Sequence, residues 1–340
     1  MIKVALFSPL PPPTGGMATW TKTFLHNSHK QSKYKFILYN TAMKAKSVYE
    51  FNITKELIRN LKLILNCIFI NVDIEIVHIN SPCDRIGLIR DFIMITCLKL
   101  KRKKIIFHIH TDISRFINNQ FRNFLIMQCI RMSSVTLVLN NDSKNYLNSK
   151  TKKNIMLLNN FICPDTLANF KFNQEIDKLK TICYIGHFTI EKGAKLFLEV
   201  AEQMPHITFN IYGAMLDSSP KFNHLRNVVY NGNLKRDDLF TELKNNDILL
   251  FTSYREGSSL TLLECVYLGL PVLTTKNGNV EDYVDGNNIV DHDVSNIVTK
   301  LNTYTSKDDF VTNIENNRRL IDHYYIDTVI NDLINIYSSL

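Results

Sequence analysis

At 340 residues the chain is longer than a single hydrophobic core usually grows, so two domains of about 150–170 residues are expected. Apolar residues make up 45% and charged ones 21%, with few glycines and prolines and no low-complexity run, which excludes a disordered or fibrous chain. The net charge of +8 is unevenly spread: residues 1–165 carry +15 from 24 Lys+Arg and 9 Asp+Glu, residues 166–340 carry −7 from 16 and 23, so the first half suits an anionic partner, nucleic acid or an acidic membrane.

The opening "MIKVALFSPL" has an apolar core of only Val4 to Phe7, too short for a secretory leader, and reads as a first buried strand. "KFILYN", "EIVHIN", "KIIFHIH" and "VTLVLN" continue the strand-like series, with helical spacing between most of them. Leu63 to Val72 is interrupted by Asn66 and Asn71 and is about half the length needed to span a bilayer. Ile86, Ile89, Ile93, Cys97 and Leu100 recur at steps of three and four, one apolar face of a helix. "TICYIG", "ITFNIYG", "NVVYNG", "DILLFTS" and "PVLTT" repeat the pattern in the second half, with helices over Ala194 to Gln203 and Arg236 to Asn245. The pattern is parallel α/β twice over, with a hinge expected in the polar stretch Asp165 to Lys180. Two doubly wound sheets joined in this way would form a cleft, with ligands beyond the carboxyl ends of the strands.

Seven cysteines without a CxxC pair or a close Cys/His group read as small apolar residues in a reducing compartment. His108 and His110 fall on one strand face, a possible metal pair, but no third ligand stands near them in sequence.

Three segments could carry chemistry. In "PLPPPTGGMATW" the pair Gly15-Gly16 would permit positive φ and bring backbone N–H groups to a phosphate just before a helix expected to begin near Ala18, although the segment matches neither GxGxxG nor the P-loop. In "YIGHFTIEKG" a strand ends at Gly186, and Lys192 stands at the turn into a helix, where it could meet a diphosphate or simply be a solvated lysine. In "REGSSLTLLE" Ser258 or Ser259 is a natural N-cap for a helix that Gly269 and Pro271 end. Glu256 then precedes that helix, Glu264 lies inside it, and an anion-seeking N-terminus stands between them. Both glutamates could equally complement the helix dipole.

Glu256, seven residues, Glu264 and then "CVYLGLPVLTTKNGNVEDYV" resemble the signature of retaining GT-B glycosyltransferases of the group 1, or family 4, class. The likeness runs in order through the Gly15-Gly16 loop, "FHIHTD", "LLNNFI", "GHFTIEKG" and "YNGNL". It implies two Rossmann-like doubly wound domains facing each other across a cleft: residues 1–168 on the acceptor side and residues 169–321 binding the nucleotide sugar. A last helix, about 322–340, would pack back on the first domain. The resemblance further implies that Glu264 holds the ribose and Glu256 the hexose hydroxyls. The backbone of Gly257, Ser258, Ser259 and Leu260 would approach the diphosphate, with Lys192 neutralising it, Gly16 opposite and His110 near the reacting sugar. Where that family usually has an arginine after the strand glycine, this chain has His187, charged only near or below pH ~6.5.

The expected activity is retaining, metal-independent hexosyl transfer with no cofactor. The donor would be a nucleoside-diphosphate sugar, a UDP-sugar favoured and a GDP-sugar possible, and the acceptor a glycan or lipid-pyrophosphate-linked saccharide, as in bacterial surface polysaccharide or glycoconjugate assembly. "LKLKRKK", with five cations in the six positions from Lys99, would complement a helix dipole or dock on an anionic membrane, which makes the expected location cytoplasmic and peripheral to the inner face of the cell membrane. Two rivals are a nucleotide-sugar epimerase of the same architecture and a basic nucleic-acid-binding protein. The second lacks any helix-turn-helix, RNP-like or zinc pattern, so no nucleic-acid partner is expected.

Overall fold

The structure, a computed structural model, describes every residue except 13–14, 30–31, 43–52, 114–118, 171 and 173–175. Part of the proline approach to Gly15 and part of the expected hinge therefore lie outside the described residues. Two compact units are present: Met1–Phe161 with Ile326–Leu340, and Ile162–Tyr325. The divisions differ from the sequence boundaries of 168 and 321 by a few residues. Ile162 and Tyr325 form a parallel bridge and Ile162 N–H donates to Tyr324 O at 2.6 Å, which ties both crossing segments into the second unit.

In the first unit β1 (Ile2–Ser8), α1 (Gly16–Ser28), β2 (Tyr34–Asn40), α2 (Ile53–Ile68), β3 (Ile74–Ser81), α3 (Arg85–Leu100), β4 (Lys104–Ile109), α4 (Gln120–Met132), β5 (Val135–Val138), α5 (Asn141–Lys150) and β6 (Ile155–Leu157) follow in turn. The strands form one parallel sheet in the order β2-β1-β3-β4-β5-β6. Runs such as Val4 to Phe7 and Ile105 to Phe107 are fully buried because both faces of a parallel sheet are covered by helices. Short polar caps start the helices: Asp84 accepts from Gly87 N, Asn119 from Arg122 N and Asn140 from Ser143 N.

Two local expectations change here. The helix begins at Gly16 rather than near Ala18, and Gly15 has φ 176, ordinary extended backbone. Neither glycine uses a left-handed conformation, although the space where a Cβ would stand on Gly15 is open. On α3, the face carrying Ile86, Ile89, Ile93 and Leu100 points outward, and Leu88, Ile95 and Leu98 form the buried face instead.

The second unit runs β7 (Thr181–Ile185), α6 (Ala194–Gln203), β8 (Thr208–Tyr212), β9 (Val228–Tyr230), α7 (Arg236–Leu243), β10 (Ile248–Phe251), α8 (Leu260–Leu268), β11 (Val272–Thr275), β12 (Ile289–Val290), α9 (Val294–Leu301) and α10 (Lys307–Arg318), with sheet order β12-β11-β10-β7-β8-β9. Successive residues of β7 serve opposite cores: Ile182 and Tyr184 pack with α6 and α9, Cys183 and Ile185 with α7 and α8. Then α11 (Ile326–Ser338) returns to the first unit, where it packs on α1 and buries Leu333, Ile336 and Tyr337.

All seven cysteines are free, with Cys97 half-buried and the rest buried. Burial holds the Cys67 thiol up at about 12. Among the described residues no group of three or more His, Cys, Asp or Glu is arranged to hold a metal, and no helix is long and apolar enough to cross a membrane.

Candidate functional site

In the second sheet the chain order reverses between β7 and β10, which lie side by side. Loops leaving the carboxyl ends of two such strands open a crevice at the top of the sheet, the place where doubly wound sheets take ligands. The loop after β7 carries His187 and Lys192, and the loop after β10 carries Glu256, Gly257, Ser258 and Ser259. These two loops leave the centre of the sheet side by side, at its carboxyl end.

The β7 loop is held by its backbone. Gly186 has φ 133 and Gly213 φ 147, and a Cβ on Gly213 would fall 1.9 Å from Gly186 O, so only glycine fits there. The Tyr184 hydroxyl reaches the carbonyls of His187 at 2.8 Å and Lys192 at 3.0 Å, closing the loop. Gly193, at φ 76, lies so close to Thr252 that a Cβ would meet its carbonyl oxygen at 1.9 Å. Thr252 Oγ1 donates to Gly193 O at 3.0 Å and Tyr254 N–H to Glu191 O at 3.2 Å, lacing the two loops together.

Across that seam Lys192 Nζ meets Glu256 Oε1 at 2.6 Å. The lysine is 38% exposed and the glutamate 16%, so the pair is accessible from one side. His187 beside them has its pKa lowered, first by burial and then by Lys192, which keeps the imidazole neutral at pH 7. The β10 loop is braced from outside by His292, which stacks on Tyr254 at 4.4 Å and donates through Nε2 to Ser253 O at 3.1 Å. Gly278, at φ 51, brings the β11 loop against the Glu256 backbone, where a Cβ would stand 2.6 Å from the Glu256 oxygen.

Of the two serines expected to cap the next helix, Ser259 does so: its Oγ accepts from Leu262 N at 3.3 Å. The first-turn N–H groups of α8, beginning at Leu260, supply the positive end of the helix dipole four residues after Glu256 in the same loop. Gly269, at φ 86, ends the helix as its sequence position suggests. One turn inside, Glu264 is partly buried and receives Arg236 Nη2 on Oε1 at 2.6 Å, which leaves Oε2 to other donors. Burial raises the Glu264 pKa while the Arg236 charge opposes that rise. Arg236 is itself held over the Phe240 ring at 4.9 Å.

Gly15, Gly16 and His110 belong to the first unit. Trp20, one turn inside α1, lies edge-on to His108 and His110, with ring centroids 5.6 and 5.4 Å away. His110 follows β4 and its backbone N–H donates to Ser81 O at 2.9 Å. Burial, and then His78, lowers the His110 pKa to about 3; burial takes His78 to about 3 as well and His108 well below its usual value. A chain of contacts runs from α11 to this group: Tyr337 OH to His78 Nδ1 at 2.7 Å, and His78 Nε2 to His108 Nδ1 at 3.3 Å.

Sequence reasoning passed over Arg236, Tyr184, Thr252, Tyr254 and His292 as site residues. Each acts across the sheet on a residue distant in the chain, and no spacing within one segment marks such a partner.

Residues 165–321 match the sequence model of the family described as Glycosyl transferases group 1. Over that stretch the chain is similar to group 1 glycosyl transferases. The fold of the chain is that of GT-B glycosyltransferases. Sucrose-phosphate synthase from Thermosynechococcus elongatus is similar with a TM-score of 0.73 at 12% identity, over 100% of this chain and 99% of that one. Anabaena HepE, solved in complex with UDP and glucose, gives 0.72 at 14% identity over 100% of both chains. An Escherichia coli trehalose-6-phosphate protein bound with UDP-2-fluoro glucose gives 0.73 at 13% over 99% of both. At such identities these likenesses establish fold alone. The sulfoquinovosyl transferase SQD2 of Arabidopsis thaliana is 27% identical over 131 residues, 36% of this chain; the match spans 26% of that protein's length.

Proposed function

We propose that this protein is a retaining glycosyltransferase that moves a hexose-type sugar from a nucleoside-diphosphate sugar, UDP favoured and GDP possible, to a glycan or lipid-pyrophosphate-linked saccharide. Bacterial surface polysaccharide or glycoconjugate assembly at the inner face of the cell membrane is the setting such acceptors suggest. The observation that carries the reading is the Lys192–Glu256 pair beside the start of α8 at the point where the strand order reverses. Structural neighbours solved with UDP, glucose or UDP-2-fluoro glucose support a donor of that kind.

The chemical difficulty is the departing nucleoside diphosphate, whose negative charge grows as the anomeric carbon becomes cationic. Lys192 and the backbone N–H groups of Ser258 to Leu260, leading into α8, meet that charge without a metal, and the part proposed for Gly15-Gly16 is to offer further backbone N–H groups to it. His187, being neutral, offers a hydrogen bond and no charge, so the cationic role rests on Lys192. Glu256 accepts from hexose hydroxyls once the diphosphate takes its place on Lys192. Glu264 accepts from ribose hydroxyls through Oε2 while Arg236 fixes Oε1. Attack on the front face of the sugar forms the new C–O bond as the C–O bond to the β-phosphate breaks. The acceptor proton passes to the departing phosphate oxygen, and the anomeric configuration is retained. The part proposed for His110 is that of a neutral hydrogen-bonding group toward the sugar, its imidazole being kept neutral by burial.

Transfer assayed with a panel of UDP- and GDP-sugars tests the reading. Lys192→Ala should lower kcat by about 100- to 1,000-fold, the usual loss when one donor to a transition-state anion is removed. Near-normal turnover removes Lys192 from the mechanism. Conversion of the donor to a hexose isomer without any acceptor points to an epimerase instead.

A further inference from the structure

An α/β surface helix ordinarily turns its apolar stripe to the sheet and its polar side to water. In α2 that arrangement is disturbed: Glu56 and Asn60 are buried with Leu63 and Cys67, while Leu57 and Leu61 are 60% and 57% exposed. The apolar surface continues past the helix end through Phe69 and Val72, 79% and 87% exposed. Next to α2 packs α3, whose outward face carries Ile86, Ile89 and Ile93, and next to that packs α4 with exposed Phe121 and Phe124. Most of the exposed large hydrophobic side chains among the described residues lie in this one helical layer.

Its charge is one-sided. The only carboxylates of α2 and α3, Glu56 and Asp91, turn inward and pair with Arg59 and Arg90, and α4 has none. Lys62, Lys99, Lys101, Arg102 and Lys104 are exposed around the apolar surface. Asp73, in the following turn, pairs with Lys3 at 3.0 Å, and Lys103 donates to the carbonyls of Asn71, Val72 and Ile74 beside Glu75.

We infer that the outward face of α2, α3 and α4 docks this protein on an anionic lipid bilayer, with the apolar side chains entering the acyl boundary and the cations meeting the headgroups. An amphipathic helix with an apolar face and a cationic margin lies in the membrane plane in this way. A second copy of the chain is disfavoured because a two-fold contact would bring two cationic margins together. Nucleic acid would find no use for the apolar centre. The inference deepens the membrane-facing part of the proposed function, and its test is separable from donor binding.

Flotation of the full chain with vesicles of phosphatidylcholine alone and of phosphatidylcholine with phosphatidylglycerol reads the proposal. Binding to the anionic vesicles is expected to exceed that to the neutral ones by at least about tenfold at low salt. Leu61→Ser with Phe69→Ser, and separately Lys101→Ala with Arg102→Ala, should each reduce it; both pairs are exposed, and circular dichroism checks the fold. Absence of flotation overturns the inference, as does flotation that neither double variant weakens, or sedimentation as a dimer through this face with no lipid binding. UDP binding measured by calorimetry on the same samples reports on the donor site alone, so loss of one activity with retention of the other identifies which reading failed.

Discussion

Glu256 and Glu264 stand eight positions apart, yet each has its own cation, Lys192 from the loop after β7 and Arg236 from the start of α7. The sequence spacing separated the two carboxylates but could not name Arg236, because the contact spans 28 positions and depends on how α7 and α8 lie on the sheet. The histidines make a similar point. His108 and His110 were legible as neighbours on one strand face, whereas the participation of His78 and Tyr337 comes from β3 and from the far end of the chain. All three imidazoles are neutral in the fold with pKa values depressed by burial, while in the unfolded chain they titrate near ~6.5. The unfolded chain therefore binds more protons below that value, so the first unit should lose stability as pH falls from about 6.5 toward 3, each histidine contributing up to ~1.4 kcal/mol per pH unit. Thermal melts at pH 7.5 and 5.5 check this: a clear drop is expected in the acidic sample, and equal midpoints count against three buried neutral imidazoles.

At the level of elements, α8 combines two roles. Its N-terminal turn follows directly on the loop that carries Glu256, and its apolar side, Leu262, Leu263 and Val266, anchors it in the core below. Ser259 fixes where the helix starts, so Ser259→Ala should cost about 1 kcal/mol of stability. It should also weaken nucleotide binding if the first-turn N–H groups hold phosphate, and calorimetry with UDP reads that effect separately from the melt. Most strands were legible because strands buried on both faces are continuous apolar runs. Two were passed over, β6 and β12, three and two residues long; β9 is as short as β6 but ends in an Asn-Gly turn that marks it. The apolar spacing on α3 marked a helix correctly without telling which way the stripe would point. That depends on what packs on it, and Leu88, Ile95 and Leu98 offered a second apolar face that the sheet took.

Over the whole molecule, the last helix belongs to the first unit although the second unit precedes it in the chain. Leu333 on α11 is 1% exposed, so Leu333→Ala should destabilise the first unit by about 2–5 kcal/mol, the usual range for such a cavity. Hydrogen exchange should show lost protection in β1, α1 and α11, with β7 and β10 unchanged; uniform loss across both sheets would mean the units unfold together. The amino-acid sequence by itself determined the parallel α/β class and the position of most of the strands. These are local matters of apolar run length, turn chemistry and charge balance. Only the tertiary structure decided the strand order, the cation that each glutamate meets, and which apolar face of α2 and α3 stays in water. Those depend on which distant segments come to lie side by side, and packing between segments leaves no period within any one of them.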